Sequence, residues 1–191
     1  MRINRLLSIF VVACLAFSAM AGVHVLNSDE VMNNNTKTLV AYFSATGTTM
    51  EAATRLAEVA GADLHEIVPE RLYTAADLNW NDKSSRSSVE MADKSSRPAI
   101  ANRVENMAKY DTVFVGFPIW WYIAPTIINT FLEQYDLAGK TIVPFFTSGG
   151  SGAGETLKYL KPSAPDAHWV NPKSVNYMSD AEMKAWVESL K

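Results

Sequence analysis

Apolar residues in this chain gather into short, nearly continuous runs, separated by polar stretches with a helical rhythm. Lys37 to Phe43 (KTLVAYF) is the first run, and turn residues follow it. A run of that length suits a strand buried on both faces. Thr48 to Ala60 has helical spacing, with Met50, Ala53, Ala57 and Ala60 toward one side and Glu51 four residues before Arg55. Thr48 and Glu51 have capping-box spacing, and Gly61 supplies the stop. A second strand is predicted over Asp63 to Val68, ended by Pro69. Pro98 to Tyr110 predicts the second main helix, with Ile100, Val104 and Met107 inward. Thr112 to Phe117 is the third predicted strand. Pro125 to Tyr135 is a helix with proline at its first position and Ile127, Ile128, Phe131 and Leu132 buried. Thr141 to Thr147 is the fourth strand, in which Pro144 removes a ladder donor and predicts a bulge or local break. A helix around Glu155 to Leu160, a weak strand near His168 to Val170 and a final helix complete the pattern. The final helix opens on a Ser179–Glu182 capping box and buries Met183, Trp186, Val187 and Leu190.

Strands alternating with helices imply an α/β fold, a doubly wound parallel sheet with helices on both faces. Ligands on such sheets bind beyond the carboxyl ends of the strands, at the switch in strand order.

Two segments interrupt the rhythm. Arg71 to Arg97 is polar and serine-rich, and Asp-Lys-Ser-Ser-Arg at 82–86 recurs at 93–97. Two such copies are too little for a repeat architecture. Loops this long inside a compact domain are functional lids or disordered. A partly ordered excursion over the site, anchored by Tyr73 and Trp80, is one expectation; a plain solvated loop is the other. The second segment is the N-terminus. Arg2 and Arg5 precede an apolar stretch from Leu6 to Phe17, and Ala19-Met20-Ala21 follows. This is the layout of a secretory signal cleaved after Ala21. The stretch is short for a membrane span, which needs about 20 residues. Val11-Val12-Ala13-Cys14 also resembles a lipobox, so a lipid anchor at Cys14 is the alternative. Residues 22–36 read as a flexible tether and 37–191 as the folded domain. The expected product is exported and periplasmic, or a membrane-anchored lipoprotein, with no membrane span in the mature form.

Composition narrows the chemistry. The chain has 191 residues, 48% of them apolar, which suits one domain plus a targeting segment. The formal charge is −3 and no Lys/Arg run stands out, which argues against a nucleic-acid partner. Cys14 is the only cysteine, so a form cut after Ala21 has no thiol for disulfides, iron–sulfur ligation or nucleophilic catalysis. His24, His65 and His168 share no metal-ligand spacing, and no metal is expected.

Three segments stand at predicted strand ends. Ser44-Ala45-Thr46-Gly47-Thr48-Thr49 places four hydroxyls and a glycine at a helix start. Free N–H groups and the helix dipole favour a phosphate there. The segment has neither the lysine of a Walker loop nor the three glycines of a dinucleotide fingerprint. Pro118-Ile119-Trp120-Trp121-Tyr122-Ile123-Ala124-Pro125 carries three adjacent aromatics. A flat aromatic ligand explains them through offset stacking; a hydrophobic corner or a partner-binding patch is the alternative. Thr147-Ser148-Gly149-Gly150-Ser151-Gly152 is a glycine turn that lets backbone approach a ligand, or is only flexible.

From about Lys37 onward the chain resembles the flavodoxin family. Ser-x-Thr-Gly-x-Thr after an apolar strand resembles the family's phosphate loop. Phe-Pro-Ile-Trp-Trp followed by Ala-Pro resembles the isoalloxazine loop of a bacterial subgroup, and also that of flavin-dependent quinone reductases. Thr-Ser-Gly-Gly-Ser-Gly resembles the third flavin-contacting loop. The resemblance implies a flavodoxin-like five-stranded sheet in the order 2-1-3-4-5 and bound FMN. It implies that Ser44, Thr46, Gly47, Thr48 and Thr49 bind phosphate, with Ala45 contributing backbone. It places Pro118, Ile119, Trp120, Trp121 and Tyr122 around the ring, together with Ser148, Gly149, Gly150 and Gly152. No catalytic acid, base or nucleophile is implied, because the flavin carries the chemistry. Three functions stay open: an electron carrier serving a redox partner protein or small-molecule acceptor, an FMN-dependent NAD(P)H or quinone reductase, and a binding module without redox work.

Overall fold

A computed structural model describes residues 37–190. The signal, tether and Cys14 assignments fall outside the described residues. Strand β1 (Lys37–Tyr42) leads to helix α1 (Thr48–Ala60) and edge strand β2 (Asp63–Glu66). A short helix α2 (Arg86–Ala92) lies in the polar excursion. Next come β3 (Tyr110–Pro118), α3 (Ile127–Glu133), β4 (Thr141–Thr147) and α4 (Thr156–Leu160). The chain ends with the two-residue strands β5 (His168–Trp169) and β6 (Lys173–Ser174) and helix α5 (Asp180–Glu188).

The sheet order is β2-β1-β3-β4-β5, and every pair is parallel. This is the predicted order, with β6 added beside β4 beyond the end of β5. Side chains alternate between two cores. Leu39, Ala41, Val113, Val115 and Ile142 meet α3 and α4 on one face, through Ile127, Ile128, Phe131 and Leu160. Val40, Tyr42, Phe114, Val143 and Phe145 meet α1 and α5 on the other, through Ala53, Leu56, Met183 and Val187. Each large aliphatic or aromatic side chain so buried contributes about 1.5–3 kcal/mol relative to exposure.

Pro144 causes no break in β4, contrary to expectation. Val115 pairs with Pro144 in a continuous register from Thr112–Thr141 to Pro118–Thr147. The carbonyls of Lys140, Ile142 and Phe146 accept from the N–H groups of His168, Val170 and Val175. Alternate positions of β4 therefore face the outer edge, and Pro144 is one of them. Its missing donor falls where β5 has ended and β6 has not begun. The irregularity sits in the neighbouring edge, not in β4.

The predicted helix over Pro98 to Tyr110 does not form. Within that range only a 3-10 turn at Met107–Lys109 is helical. The stretch around Ala99 to Asn102 is instead held out of a helix by contacts at longer range. Asn102 Oδ1 accepts from the Val68 N–H at 3.1 Å and its Nδ2 donates to the Glu66 carbonyl at 2.7 Å. The Ala101 and Glu70 N–H groups donate to Val68 and Ala99. Ile100 and Met107 still pack inward, so the apolar spacing is satisfied without a helix.

Three smaller corrections concern helix starts and faces. Helix α1 begins after Gly47, at φ +93°, and no side chain caps it, so the Thr48–Glu51 box does not form. Thr48 lies inside the first turn, one position too late to cap. The buried face of α1 is Thr49, Ala52, Ala53, Leu56 and Ala57, while Met50 points outward. Helix α3 starts two residues after Pro125, with Thr126 as its N-cap. The final capping box is present in both directions: Ser179 accepts from the Glu182 N–H, and Glu182 accepts from the Ser179 N–H.

Candidate functional site

The carboxyl ends of β1, β3 and β4 open onto one cleft of about 630 Å³. All three predicted segments reach it. Ala45, Thr46, Thr48 and Thr49 line it from the first, Pro118, Ile119, Trp120, Trp121 and Tyr122 from the second, and Ser148 and Gly149 from the third. Ser44, Gly47, Gly150 and Gly152 lie in the same loops but outside the lining. No side chain of the lining is charged.

The first loop is shaped by its own hydroxyls. The Gly47 N–H donates to Ser44 Oγ at 3.1 Å, and the left-handed Gly47 turns the chain into α1. Thr46 and Thr48 are exposed toward solvent. Thr49 is buried and shares a hydrogen bond with Thr147 at 2.8 Å, which ties this loop to the end of β4. The first N–H groups of α1 have no intrahelical partners, as at any helix start.

The second loop is a tight two-residue turn. The Trp120 N–H donates to the Ile123 carbonyl at 3.0 Å, and Ile123 returns the bond at 3.1 Å. The two central residues, Trp121 and Tyr122, have φ of +46° and +66°. Such turns favour Asn-Gly or Gly, and two bulky aromatics there are strained. Strain of this kind persists where surrounding structure imposes it, and it gathers at ligand sites. Gly154 is part of that imposition: a Cβ on it would lie 2.2 Å from the Tyr122 carbonyl oxygen. The three aromatics have different surroundings. Trp120 is half-buried, edge-on to Phe43 at 5.6 Å and to Tyr73 at 5.3 Å. Trp121 and Tyr122 are exposed at the rim.

The third loop is clamped from outside. The Ser148 N–H donates to Asn176 Oδ1 at 2.8 Å, and Asn176 Nδ2 donates back to the Ser148 carbonyl. Ser148 Oγ donates to the Ser151 carbonyl at 2.6 Å. A Cβ at Gly149, Gly150 or Gly152 would meet nothing within 4 Å. Gly150 is required by its backbone conformation, at φ +129°, whereas packing does not demand Gly149 or Gly152; of these, Gly149 lines the cleft and leaves room for a ligand.

A fourth wall comes from the excursion. Leu78, Trp80 and Ser87 line the cleft. Of the two predicted anchors, Tyr73 serves as one and Trp80 does not. Tyr73 packs on Phe43 and Trp120, its hydroxyl donates to Glu90, and the Arg86 guanidinium lies 3.9 Å over its ring. Burial, reinforced by the Glu90 carboxylate, pushes the Tyr73 phenol well above its usual range. Trp80 is 72% exposed and stands at the mouth of the cleft. Sequence reasoning missed Ser87, Asn176 and Gly154. Ser87 belongs to a helix too short to show periodicity, and the other two act through contacts distant in sequence or specific to one backbone atom. Among the described residues no group of His, Cys, Asp or Glu could hold a metal, and no helix is long and apolar enough to cross a membrane.

Comparison with known proteins fits this geometry. A protein from Bacteroides eggerthii, provisionally described as a flavoprotein, is 52% identical over 81% of this chain and 98% of its own, with a TM-score of 0.78. One from Bacteroides uniformis with the same description is 50% identical over 81% and 99%, at 0.77. A Lactobacillus acidophilus flavoprotein solved in complex with FMN shares the fold at 24% identity, covering 79% and 98%, at 0.62. A search among curated proteins gives no match. The family model described as flavodoxin matches residues 37–190. The chain belongs to the flavodoxin family.

Proposed function

We propose that the cleft binds FMN non-covalently and that the protein carries electrons between a donor and a redox partner. The single observation behind this is the convergence of three loops, from three adjacent strands, on one uncharged cleft walled by aromatic residues. The residues fit the group. Thr46, Thr48 and the start of α1 offer hydroxyl and N–H donors for the phosphate, with Ser44, Gly47 and Thr49 shaping the loop around it. Trp120, Trp121 and Tyr122 offer flat apolar faces for the ring, and Pro118 and Ile119 bring backbone polar groups to the same wall. Gly149, in the cleft lining, leaves space that no protein atom fills. Bound FMN supplies the redox chemistry by accepting and returning electrons. The chain's own residues bind and orient it and set the polarity around it.

The carrier reading is preferred to an NAD(P)H or quinone reductase because the sequence shows no distinct nicotinamide-binding motif beside the flavin loops. Titration of the apoprotein with FMN tests the binding half: one equivalent should be taken up, with quenching of tryptophan fluorescence. NAD(P)H oxidation by the holoprotein with a quinone acceptor tests the other half. Turnover at enzymatic rates would replace the carrier reading with the reductase. The N-terminal pattern further supports export, and mature protein from the periplasm should begin at Gly22. An intact N-terminus, or a lipid-modified Cys14, would overturn cleavage after Ala21.

A further inference from the structure

Helix α2 supplies Ser87 to the wall that the three strand-end loops do not account for, and the same five-residue sequence fixes both its ends. In each copy an aspartate accepts from the N–H and hydroxyl of the serine two residues on. Ser84 donates to Asp82 at 2.8 and 2.7 Å, and Ser95 donates to Asp93 at 2.8 and 2.6 Å. Each copy ends in an arginine gripped by a glutamate. Arg86 Nε meets Glu90 at 2.5 Å, both side chains 14% exposed. Arg97 reaches Glu133 through two parallel bonds of 2.8 and 2.9 Å. A single surface ion pair contributes little, but bidentate and shielded pairs fix geometry. The first copy joins the start of α2 to the Tyr73 cluster. The second, directly after its end, joins the chain to α3.

This pinned helix carries Ser87. The residue is 2% exposed, and its N–H is satisfied by the Asp77 carbonyl at 3.0 Å. Its hydroxyl is buried, has no hydrogen-bond partner in the protein, and belongs to a residue that lines the cleft. Buried hydroxyls are nearly always paired, and among the described residues Ser87 is the one such orphan that also lines the cleft, where a ligand can complete it. Its neighbours on that wall, Leu78 and Trp80, are apolar. Such a wall suits a ring with polar edges better than a phosphate dianion, which the hydroxyl-rich start of α1 serves.

We propose that Ser87 is a direct hydrogen-bonding contact to the ring portion of the bound flavin, held in place by the paired Asp-Lys-Ser-Ser-Arg anchors. This rests on the FMN reading above. The test is Ser87→Ala, with FMN and riboflavin each titrated into wild-type and variant apoprotein, and Tm measured without ligand. Both flavins should bind about three- to tenfold more weakly, the worth of one hydrogen bond. The apoprotein Tm should hold or rise, because an unpaired buried hydroxyl has been removed. A merely structural serine would lower Tm and affinity together, and that result overturns the proposal. Unchanged affinity for both flavins also overturns it. A loss confined to FMN would assign Ser87 to the phosphate and overturn the ring contact. Failure of wild-type protein to bind either flavin would overturn the FMN reading itself, a result visible before any variant is compared.

Discussion

Gly154→Ala is the sharpest test of how the aromatic turn is held. Gly154 has φ +50°, and a Cβ there would sit 2.2 Å from the Tyr122 carbonyl oxygen and 3.4 Å from its Cβ. Two costs follow. A non-glycine residue in the left-handed region loses roughly 1–2 kcal/mol. The contact is with backbone, so no side-chain rotation relieves it, and the Trp121–Tyr122 turn must shift. For a domain of this size each kcal/mol lowers Tm by about 2–4 °C, so the conformational cost alone predicts a fall of about 2–8 °C. Displacing one stacked aromatic forfeits about 1 kcal/mol, or about fivefold in Kd. Thermal unfolding of the apoprotein and FMN titration measure the two effects. Gly152→Ala is the control, because its Cβ meets nothing within 4 Å and the apoprotein should keep its Tm. A Gly154→Ala protein with wild-type Tm and wild-type FMN affinity would refute the claim that Gly154 sets the turn.

Two further outcomes are expected away from the cleft. A Cβ at Gly116 would lie 2.2 Å from the Phe145 ring, so Gly116→Ala overpacks the core between β3 and β4 and should cost about 1–3 kcal/mol in urea unfolding; an unchanged midpoint contradicts this. His65 stacks on Phe131 with its Nε2 buried and unpaired, and burial holds its pKa below the usual value near 6.5. In the window between that depressed value and about 6.5 the unfolded chain binds the extra proton, so stability falls as pH drops through it. His65→Phe should flatten the fall in urea midpoint between pH 7.5 and pH 5.5, and an identical slope in the variant would reject the assignment.

The sequence was most legible where one residue pattern had one physical outcome. The runs at 37–43 and 141–147 are apolar on both faces, and both are central strands. Ser179 and Glu182 form the box their spacing predicts, because Ser179 stands outside the helix. Thr48 and Glu51 share that spacing and fail, because Gly47 already turns the chain and leaves Thr48 inside α1. The stretch from Pro98 shows tertiary contacts overriding periodicity: Asn102 bonds the edge of β2 and holds an apparently amphipathic segment out of a helix. Within the site, the three loops were readable because each follows an apolar strand. The fourth wall was not. Its helix buries only Ser87 and Met91, too little for a periodic signal, and its placement depends on Arg86 and Arg97 finding glutamates. The repeated pentapeptide was visible, but its meaning as two anchors needed the partners.

The most direct test of the central claim is an anaerobic potentiometric titration of the holoprotein, followed by visible absorbance. The cleft lining holds three aromatic residues from one loop and no charge, so it offers nothing to neutralise an anionic reduced flavin in a low-dielectric site. The account predicts stoichiometric flavin that bleaches reversibly, with the second reduction potential below that of free FMN. A protein that takes up no FMN, or holds it at the potentials of the free cofactor, would contradict it.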